Sequence, residues 1–199
     1  MCNTPINIKN PASANRQRWE PSRLMVPCGK CELCIKKRSN DWTLRLRYHQ
    51  KEVHSSYFVT LTYNYCPRTQ YGLNTLRKSD LQNFFKRLRQ REGSATQISY
   101  YACGEYGSEG QRPHYHIILF NVNEKRNIMK AWTIDNKLIG HVDIGEVVPA
   151  SIAYVTGYIG KKIGIPVYEQ DDRLKEFSLM SKKSVQTTST YRGNCIEIR

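Results

Sequence analysis

A stretch near the middle of the chain is Arg112-Pro113-His114-Tyr115-His116-Ile117-Ile118-Leu119-Phe120. Aromatic and β-branched residues follow one proline, which can begin a strand but not lie inside one, so this stretch predicts a β-strand. Side chains alternate along a strand, so His114 and His116 lie on one face, about 6.6 Å apart. The opposite face carries Tyr115, Ile117 and Leu119, where a sheet needs its core. At that separation two imidazoles can bind one metal ion, although an isolated pattern of this kind also fits two hydrogen-bonded histidines without a metal.

An acidic residue is predicted to lie beside the two histidines. Residues 97–105 are typical of a second strand, and the turn-rich residues 106–111 join it to the histidine strand. The two strands are therefore expected to be antiparallel neighbours, which brings Glu105 close to His114. A carboxylate beside two imidazoles forms a mixed oxygen–nitrogen site suited to Mg²⁺ or Mn²⁺ acting on phosphate. The alternative for Glu105 is a solvated turn residue.

Hydrophobic periodicity predicts the remaining elements. They are a helix at 39–54, a strand at 57–64, a helix at 77–91 that starts with a Ser79–Gln82 capping box, a helix at 124–132 and a strand at 140–147. The second of these helices is expected to bury Leu81, Phe84, Phe85 and Leu88.

Two tyrosines occur near residue 155. If residues 152–162 are helical, Tyr154, Tyr158 and Lys161 share one face, with Lys162 close by. Two glycines and four β-branched residues oppose a helix here. Tyrosines four residues apart are usually packing or surface residues, but a lysine pair beside them on a basic chain favours a role with phosphate. Because Tyr158 is nearer the lysines in sequence, we expect it to react first.

The composition is strongly basic. Among 199 residues, 31 Lys and Arg face 17 Asp and Glu, giving a formal net charge of +14, and 13 Tyr and 3 Trp are interspersed. This balance favours nucleic acid as partner, with a basic surface that has no ligand as the alternative. No apolar run approaches the roughly 18 residues of a membrane span, and no signal peptide is evident. The basic residues expected to contact DNA are Lys36, Lys37, Arg38, Arg45 and Arg47 around the first helix, and Lys86, Arg87 and Arg89 on the second.

Seven cysteines, an odd number with three of them clustered, indicate a reducing compartment rather than a disulfide framework. Cys28, Cys31 and Cys34 form two successive C-x-x-C spacings that let three thiolates converge on one structural zinc ion. The candidates for a fourth ligand are Cys2, His49, Cys66 and Cys103. A bacterial-type iron–sulfur run needs another cysteine soon after, where Arg38 stands, and reduced thiols without metal are the remaining alternative.

Three spaced motifs together resemble a known family. They are Phe58-Val59-Thr60-Leu61-Thr62, His114-Tyr115-His116 and Tyr154-x-x-x-Tyr158-x-x-Lys161-Lys162, in the order found in HUH endonucleases that start rolling-circle replication. The paired tyrosines resemble the replication initiators of Microviridae, small single-stranded DNA phages. Residues 27–31 and 176–181 are similar to the gokushovirus branch. The resemblance covers roughly residues 26–181.

The resemblance implies an α+β fold, with an HUH-type antiparallel sheet of about five strands flanked by helices and a Cys-rich, basic N-terminal segment. By position, His114 and His116 match the metal-binding histidines, Glu105 the acidic third ligand, Tyr154 and Tyr158 the nucleophile pair, and Lys161 or Lys162 the accompanying lysine. We expect a flexible arm at 1–24, the endonuclease domain at 25–181 and a polar tail at 182–199. Similar proteins usually continue beyond this point, which leaves open whether the chain is complete.

The implied activity is nicking of single-stranded or origin DNA through a tyrosine, followed by religation. Mg²⁺ or Mn²⁺ would assist, and no nucleotide triphosphate is expected, since the chain has no G-x-x-x-x-G-K-[ST] motif. The expected partners are the origin of a small circular genome and a host helicase and polymerase, in the cytoplasm of a bacterial host, with no membrane. The alternatives are a non-catalytic basic DNA-binding protein with a Cys-cluster zinc module, and a transposase or relaxase.

Overall fold

The computed structural model describes residues 2–10, 21–108, 110–158 and 167–181. The strands are β1 (Ile6–Lys9), β2 (Arg23–Val26), β3 (Ser56–Leu61), β4 (Ser99–Tyr106), β5 (Pro113–Phe120), β6 (Thr133–Ile134), β7 (Lys137–Leu138), β8 (Val142–Glu146) and β9 (Phe177–Met180). The helices are α1 (Glu32–Glu52), α2 (Lys78–Glu92), α3 (Lys125–Ala131) and α4 (Pro149–Gly157). The fold is α+β, as expected. Within the described ranges, no helix has the length and apolar character needed to cross a membrane.

The histidine strand is the centre of a five-stranded sheet. The strand order is β8-β3-β5-β4-β9, and every neighbouring pair is antiparallel. In this register Glu105 pairs with His114 across β4 and β5, and Thr60 pairs with His116 across β3 and β5. The hairpin predicted between β4 and β5 is therefore confirmed.

One face of the sheet is covered by α2 and α3. It carries Tyr115, Ile117 and Leu119, which are fully buried as the alternation of β5 predicts. The helix side of this core consists of Leu81, Phe84, Phe85 and Leu88 of α2 and Ile128 of α3. The amphipathic pattern of α2 thus identifies its buried face correctly.

The other face, which carries His114 and His116, is covered by α1 and α4. Leu46 of α1 and Ile152 of α4 pack there with Ile118 of β5. A hydroxyl contact of 2.7 Å between Thr43 Oγ1 and Thr156 Oγ1 joins the two helices. The sequence predicted a core on one face only, whereas both faces are buried, because helices cover each side of the sheet.

Helix boundaries differ from the sequence predictions in two places. Helix α1 begins at Glu32 rather than residue 39, so the last cysteine of the cluster lies in its first turn. Periodicity missed residues 32–38 because their exposed basic side chains form no apolar stripe. Helix α2 begins at Lys78, and its N-cap residue Arg77 makes no side-chain capping bond, so the Ser79–Gln82 capping box is wrong.

Helix α4 is confirmed as helical through Gly157, which settles the ambiguity of this stretch as far as residue 158. Pro149 lies in its first turn, where the missing N–H has no helical partner to lose, and Ser151 Oγ accepts a hydrogen bond from Val148 N–H at 2.9 Å. Residues 159–162 lie outside the described part.

The N-terminal segment contains a strand that the sequence did not predict. Strand β1 pairs antiparallel with β2, with Ile6 opposite Val26. Residues 6–9 are thus a paired strand inside the segment 1–24 that was expected to be a flexible arm, because the exposed edge of β2 satisfies their backbone groups. The division into arm, domain and tail otherwise remains a prediction, and residues 182–199 lie outside the described ranges.

Candidate active site

Glu105, His114 and His116 form a compact cluster. Glu105 Oε1 lies 2.5 Å from His114 Nε2 and 2.9 Å from His116 Nε2. One ligand atom from each residue lies within 4.8 Å of the others. Glu105 is only 3 % exposed and His116 only 9 %. The proximity predicted from the hairpin is therefore present, and Glu105 is a buried member of the cluster rather than a solvated turn residue.

Both imidazoles are oriented through their second nitrogen. His114 Nδ1 donates to the Arg112 carbonyl at 3.1 Å, and His116 Nδ1 lies 3.0 Å from Thr60 Oγ1. The His116 ring also stacks on Phe58 with ring centroids 5.5 Å apart. These contacts turn both Nε2 atoms toward Glu105, as partners of metal-binding histidines do. Sequence reasoning gave Thr60 no role of its own, although its position opposite His116 in the register identifies it.

Helix α4 brings the tyrosine pair to this cluster. The Tyr154 hydroxyl donates to Glu105 Oε1 at 3.1 Å, and the Tyr158 hydroxyl donates to the Tyr154 hydroxyl at 2.7 Å. The Tyr154 ring also meets the His116 ring edge-on, with centroids 5.2 Å apart. Tyr154 is 43 % exposed, so its phenol is accessible from solvent. The tyrosines are therefore neither core residues nor isolated surface residues.

The electrostatics of the cluster favour a cation. Burial opposes ionisation of Glu105, but hydrogen bonds from His114 and His116 outweigh it and hold the pKa of the carboxyl well below its usual range. Burial lowers the pKa of His114, yet its hydrogen bonds to Glu105 and to the Arg112 carbonyl leave that pKa above the ordinary value. Burial, with the charge of Glu105, raises the pKa of Tyr154 and Tyr158. The cluster thus combines an ionised carboxylate with protonated neighbours.

The donor set fits a divalent metal ion. Glu105 Oε2 is buried and has no hydrogen-bond partner among the residues that the structure describes, and a buried carboxylate oxygen without a partner is costly. The Nε2–Oε1 distances of 2.5 and 2.9 Å are close to the separation of about 3 Å between adjacent ligands on an ion with bonds of about 2.1 Å. Glu105, His114 and His116 would hold such an ion with positions left for phosphate oxygens. Lys161 and Lys162 lie outside the described residues.

The cysteine cluster gains its fourth member from the N-terminus. The Sγ atoms of Cys2, Cys28, Cys31 and Cys34 all lie within 4.8 Å of one another. His49, another candidate, instead contacts Ser99 Oγ at 2.7 Å, and Cys103 is buried in the sheet. The structure thus brings together the three predicted thiols and Cys2.

The basic residues divide between the two faces of the sheet. Helix α1, on the face of the histidines, exposes Lys36, Lys37, Arg38 and Arg47, with Arg45 half-buried over the Trp42 ring. Helix α2, on the opposite face, exposes Lys86 and Arg89. Arg87 is half-buried, and its Nε donates to the Ala131 carbonyl at 2.7 Å, so it is part of the packing between α2 and α3.

Comparison with known proteins is consistent with the motifs. The family model for the replication-associated protein ORF2 matches residues 56–163, which include Glu105, both histidines and both tyrosines. Replication-associated protein ORF2 of Spiroplasma virus 4 is 29 % identical over 202 residues, which is 89 % of this chain and 62 % of that protein. Replication-associated protein ORF4 of Chlamydia phage 1 is 27 % identical over 160 residues, 69 % of this chain and 38 % of that protein.

Replication-associated protein VP4 of Bdellovibrio phage phiMH2K is 27 % identical over 175 residues, 76 % of this chain and 53 % of that protein. The chain spans between 38 % and 62 % of the length of these three curated relatives. The resemblance to phage replication proteins of the Microviridae type is confirmed, and the chain belongs to the family of the replication-associated protein ORF2.

Proposed function

We propose that the chain is a rolling-circle replication initiator that nicks single-stranded or origin DNA through a tyrosine nucleophile. The observation that carries this proposal is the contact of 3.1 Å between the Tyr154 hydroxyl and Glu105 Oε1, extended to Tyr158 by the hydroxyl contact of 2.7 Å. Two candidate nucleophiles thus touch a three-residue cluster suited to a divalent ion. The names of the phage relatives, all replication-associated proteins, support the same role.

Each residue has a distinct task. Glu105, His114 and His116 would hold Mg²⁺ or Mn²⁺, which when bound supplies Lewis-acid polarisation of the scissile phosphate. Thr60 and the Arg112 carbonyl orient the imidazoles through Nδ1. Glu105 also accepts the Tyr154 hydroxyl, which keeps the phenolic oxygen beside the position of the phosphate. Holding the reacting groups close converts the attack into an intramolecular step.

The reaction exchanges one ester bond for another. The phenolic oxygen bonds to phosphorus while the bond from phosphorus to the 3′-oxygen breaks. The phenol loses its proton and the departing 3′-oxygen gains one. The products are a 5′-phosphotyrosine and a free 3′-hydroxyl that can prime synthesis. The broken ester bond is replaced rather than hydrolysed, so the 3′-hydroxyl can later attack the phosphotyrosine and reseal the strand.

A pair of tyrosines suits a cycle with two transfers. While one tyrosine carries the 5′ end, the other can cleave the regenerated origin, after which the first end is released as a circle. Their hydroxyls are 2.7 Å apart, so either reaches the same phosphate with a small movement. Lys161 or Lys162 would neutralise phosphate charge in this proposal.

The DNA strand would be held mainly by α1, because its exposed basic residues lie on the face of the sheet that carries the cluster. Phosphate contacts of this kind give affinity without sequence preference. We place the activity in the cytoplasm of a bacterial host cell, where a host helicase and polymerase would extend the new 3′ end.

Trapping of a covalent adduct tests this function. Overlapping single-stranded oligonucleotides covering the genome that encodes the chain are labelled at the 3′ end and incubated with the protein and Mn²⁺. A labelled band that stays with the protein under denaturing conditions is expected for at least one oligonucleotide, and peptide mass spectrometry should locate the DNA on Tyr154 or Tyr158. Tight DNA binding without any adduct would instead support the non-catalytic DNA-binding alternative.

A further inference from the structure

We propose that Cys2, Cys28, Cys31 and Cys34 bind one zinc ion as a tetrathiolate site that fastens the N-terminal segment to the first turn of α1. This site is separate from the Glu105 cluster, and its test does not depend on nicking.

The first argument is the spacing of the sulfur atoms. All four Sγ atoms lie within 4.8 Å of one another, and those of Cys2 and Cys31 are 3.8 Å apart. Zinc–sulfur bonds of about 2.3 Å in a tetrahedron place neighbouring sulfurs about 3.8 Å apart. The cluster therefore has the dimensions of a site for one ion. A cage of several iron and sulfide ions needs sulfurs that are farther apart.

The second argument is the set of donors that point at the sulfurs. Cys28 Sγ accepts from the backbone N–H groups of Lys30 at 3.4 Å and Cys31 at 3.3 Å, and from the Thr4 hydroxyl at 3.3 Å. Cys2 Sγ accepts from the N–H of Cys28 at 3.3 Å. Hydrogen bonds of this kind stabilise thiolates and orient metal ligands. Gly29 has φ +71°, a conformation that favours glycine, so the chain can turn its amides toward Cys28 Sγ.

The third argument is what the site connects. Cys2 precedes β1, Cys28 and Cys31 follow β2, and Cys34 lies in α1, so one ion would join three separate elements. Helix α1 has no side-chain cap at its N-cap residue Cys31. Since α1 contacts α4 through Thr43 and Thr156, anchoring its start also supports the helix that carries the tyrosines. A small exposed hairpin with little core of its own is a place where a metal contributes folding energy.

Metal analysis of the whole chain tests this proposal. After purification without chelator and exchange into metal-free buffer, elemental mass spectrometry should find about one zinc per chain. Replacement by Co²⁺ should give the visible absorption of a tetrahedral site with four thiolates. The double variant H114A/H116A should retain this zinc, because its ligands are elsewhere.

Single cysteine variants identify the ligands. Cys2→Ser should weaken zinc binding at least tenfold in competition with a chromogenic chelator and change the Co²⁺ spectrum. It should also lower the unfolding temperature, while Cys66→Ser should match the wild type in all three measurements because Cys66 lies outside the cluster. Unchanged zinc affinity and Co²⁺ spectrum in Cys2→Ser would remove Cys2 from the site. Four thiols that stay freely reactive with added zinc, or a chain that carries iron instead, would overturn the proposal.

Discussion

Tyr154 donates a hydrogen bond to Glu105 Oε1 at 3.1 Å across 49 positions of sequence. The same carboxylate oxygen contacts both histidines, so one atom links the candidate nucleophile to the candidate metal ligands. The contact joins α4 to β4. It depends on the packing of α4 and α1 against the histidine face of the sheet.

The two tyrosines should contribute unequally to the first cut. Tyr154→Phe removes the hydroxyl that contacts Glu105 and also the acceptor of the Tyr158 hydroxyl, whereas Tyr158→Phe leaves the Glu105 contact in place. We expect Tyr154→Phe to slow first-turnover nicking about tenfold more than Tyr158→Phe, equivalent to about 1.4 kcal/mol. This order is the reverse of the expectation based on sequence distance to Lys161 and Lys162. Rapid-quench measurement of adduct formation gives both rates, and the double variant should form no adduct. An adduct in the double variant would place the nucleophile elsewhere.

Removing both histidines should separate chemistry from binding. The variant H114A/H116A should lose nicking completely, as should the wild type in EDTA, and added Mn²⁺ or Mg²⁺ should restore only the wild type. DNA affinity, measured by fluorescence anisotropy, should change little, because phosphate contacts with basic residues supply most of it. Cleavage by the double variant at the wild-type rate in Mn²⁺ would contradict the metal assignment.

Metal affinity should depend on pH in a defined direction. Hydrogen bonds to Glu105 and to the Arg112 carbonyl raise the pKa of His114, so a proton competes with the metal for Nε2 below and just above the ordinary histidine value of about 6.5. The Mn²⁺ concentration that gives half-maximal nicking should therefore fall as the pH rises through about 6 to 8, and then level off. A flat dependence across this range would show that His114 is not a ligand.

Thr60 should act as a positioning residue for His116. Its Oγ1 lies 3.0 Å from His116 Nδ1, and loss of such a partner typically weakens metal binding by about 10–100-fold. Thr60→Val keeps the shape but removes the hydroxyl, so the Mn²⁺ requirement should rise while the rate at saturating Mn²⁺ largely recovers. Thr62→Val is the matched control, since the Thr62 hydroxyl donates to the exposed His141 carbonyl at 3.3 Å. An equal effect of both variants would point to general loss of stability.

The two basic helices should differ in their effect on DNA. The variant K36Q/R38Q removes two charges on the face of the sheet that carries the cluster, and K86Q/R89Q removes two charges on the opposite face. The first should lower the slope of log affinity against log salt by up to about 1.4, at about 0.7 per lost phosphate contact with a single strand. The second should change it much less. Equal slopes for the two variants would refute the assignment of the DNA surface to α1.

Local sequence determined a large part of the site. The two-residue period of a strand places His114 and His116 on one face, and a short turn makes Glu105 the cross-strand neighbour of His114. The apolar residues of α2 likewise identify its buried face. These features depend on residues close together in the chain, so periodicity and turn chemistry specify them.

Tertiary structure decided the rest. The contact of Thr60 with His116 requires β3 to pair with β5 in one register, and the contact of Tyr154 with Glu105 requires α4 to lie on that face of the sheet. Cys2, one of several candidate ligands by sequence, joins the other thiols because the pairing of β1 with β2 returns the chain to the start of α1. Local periodicity does not contain these choices. They follow from which surfaces of the folded chain bury one another.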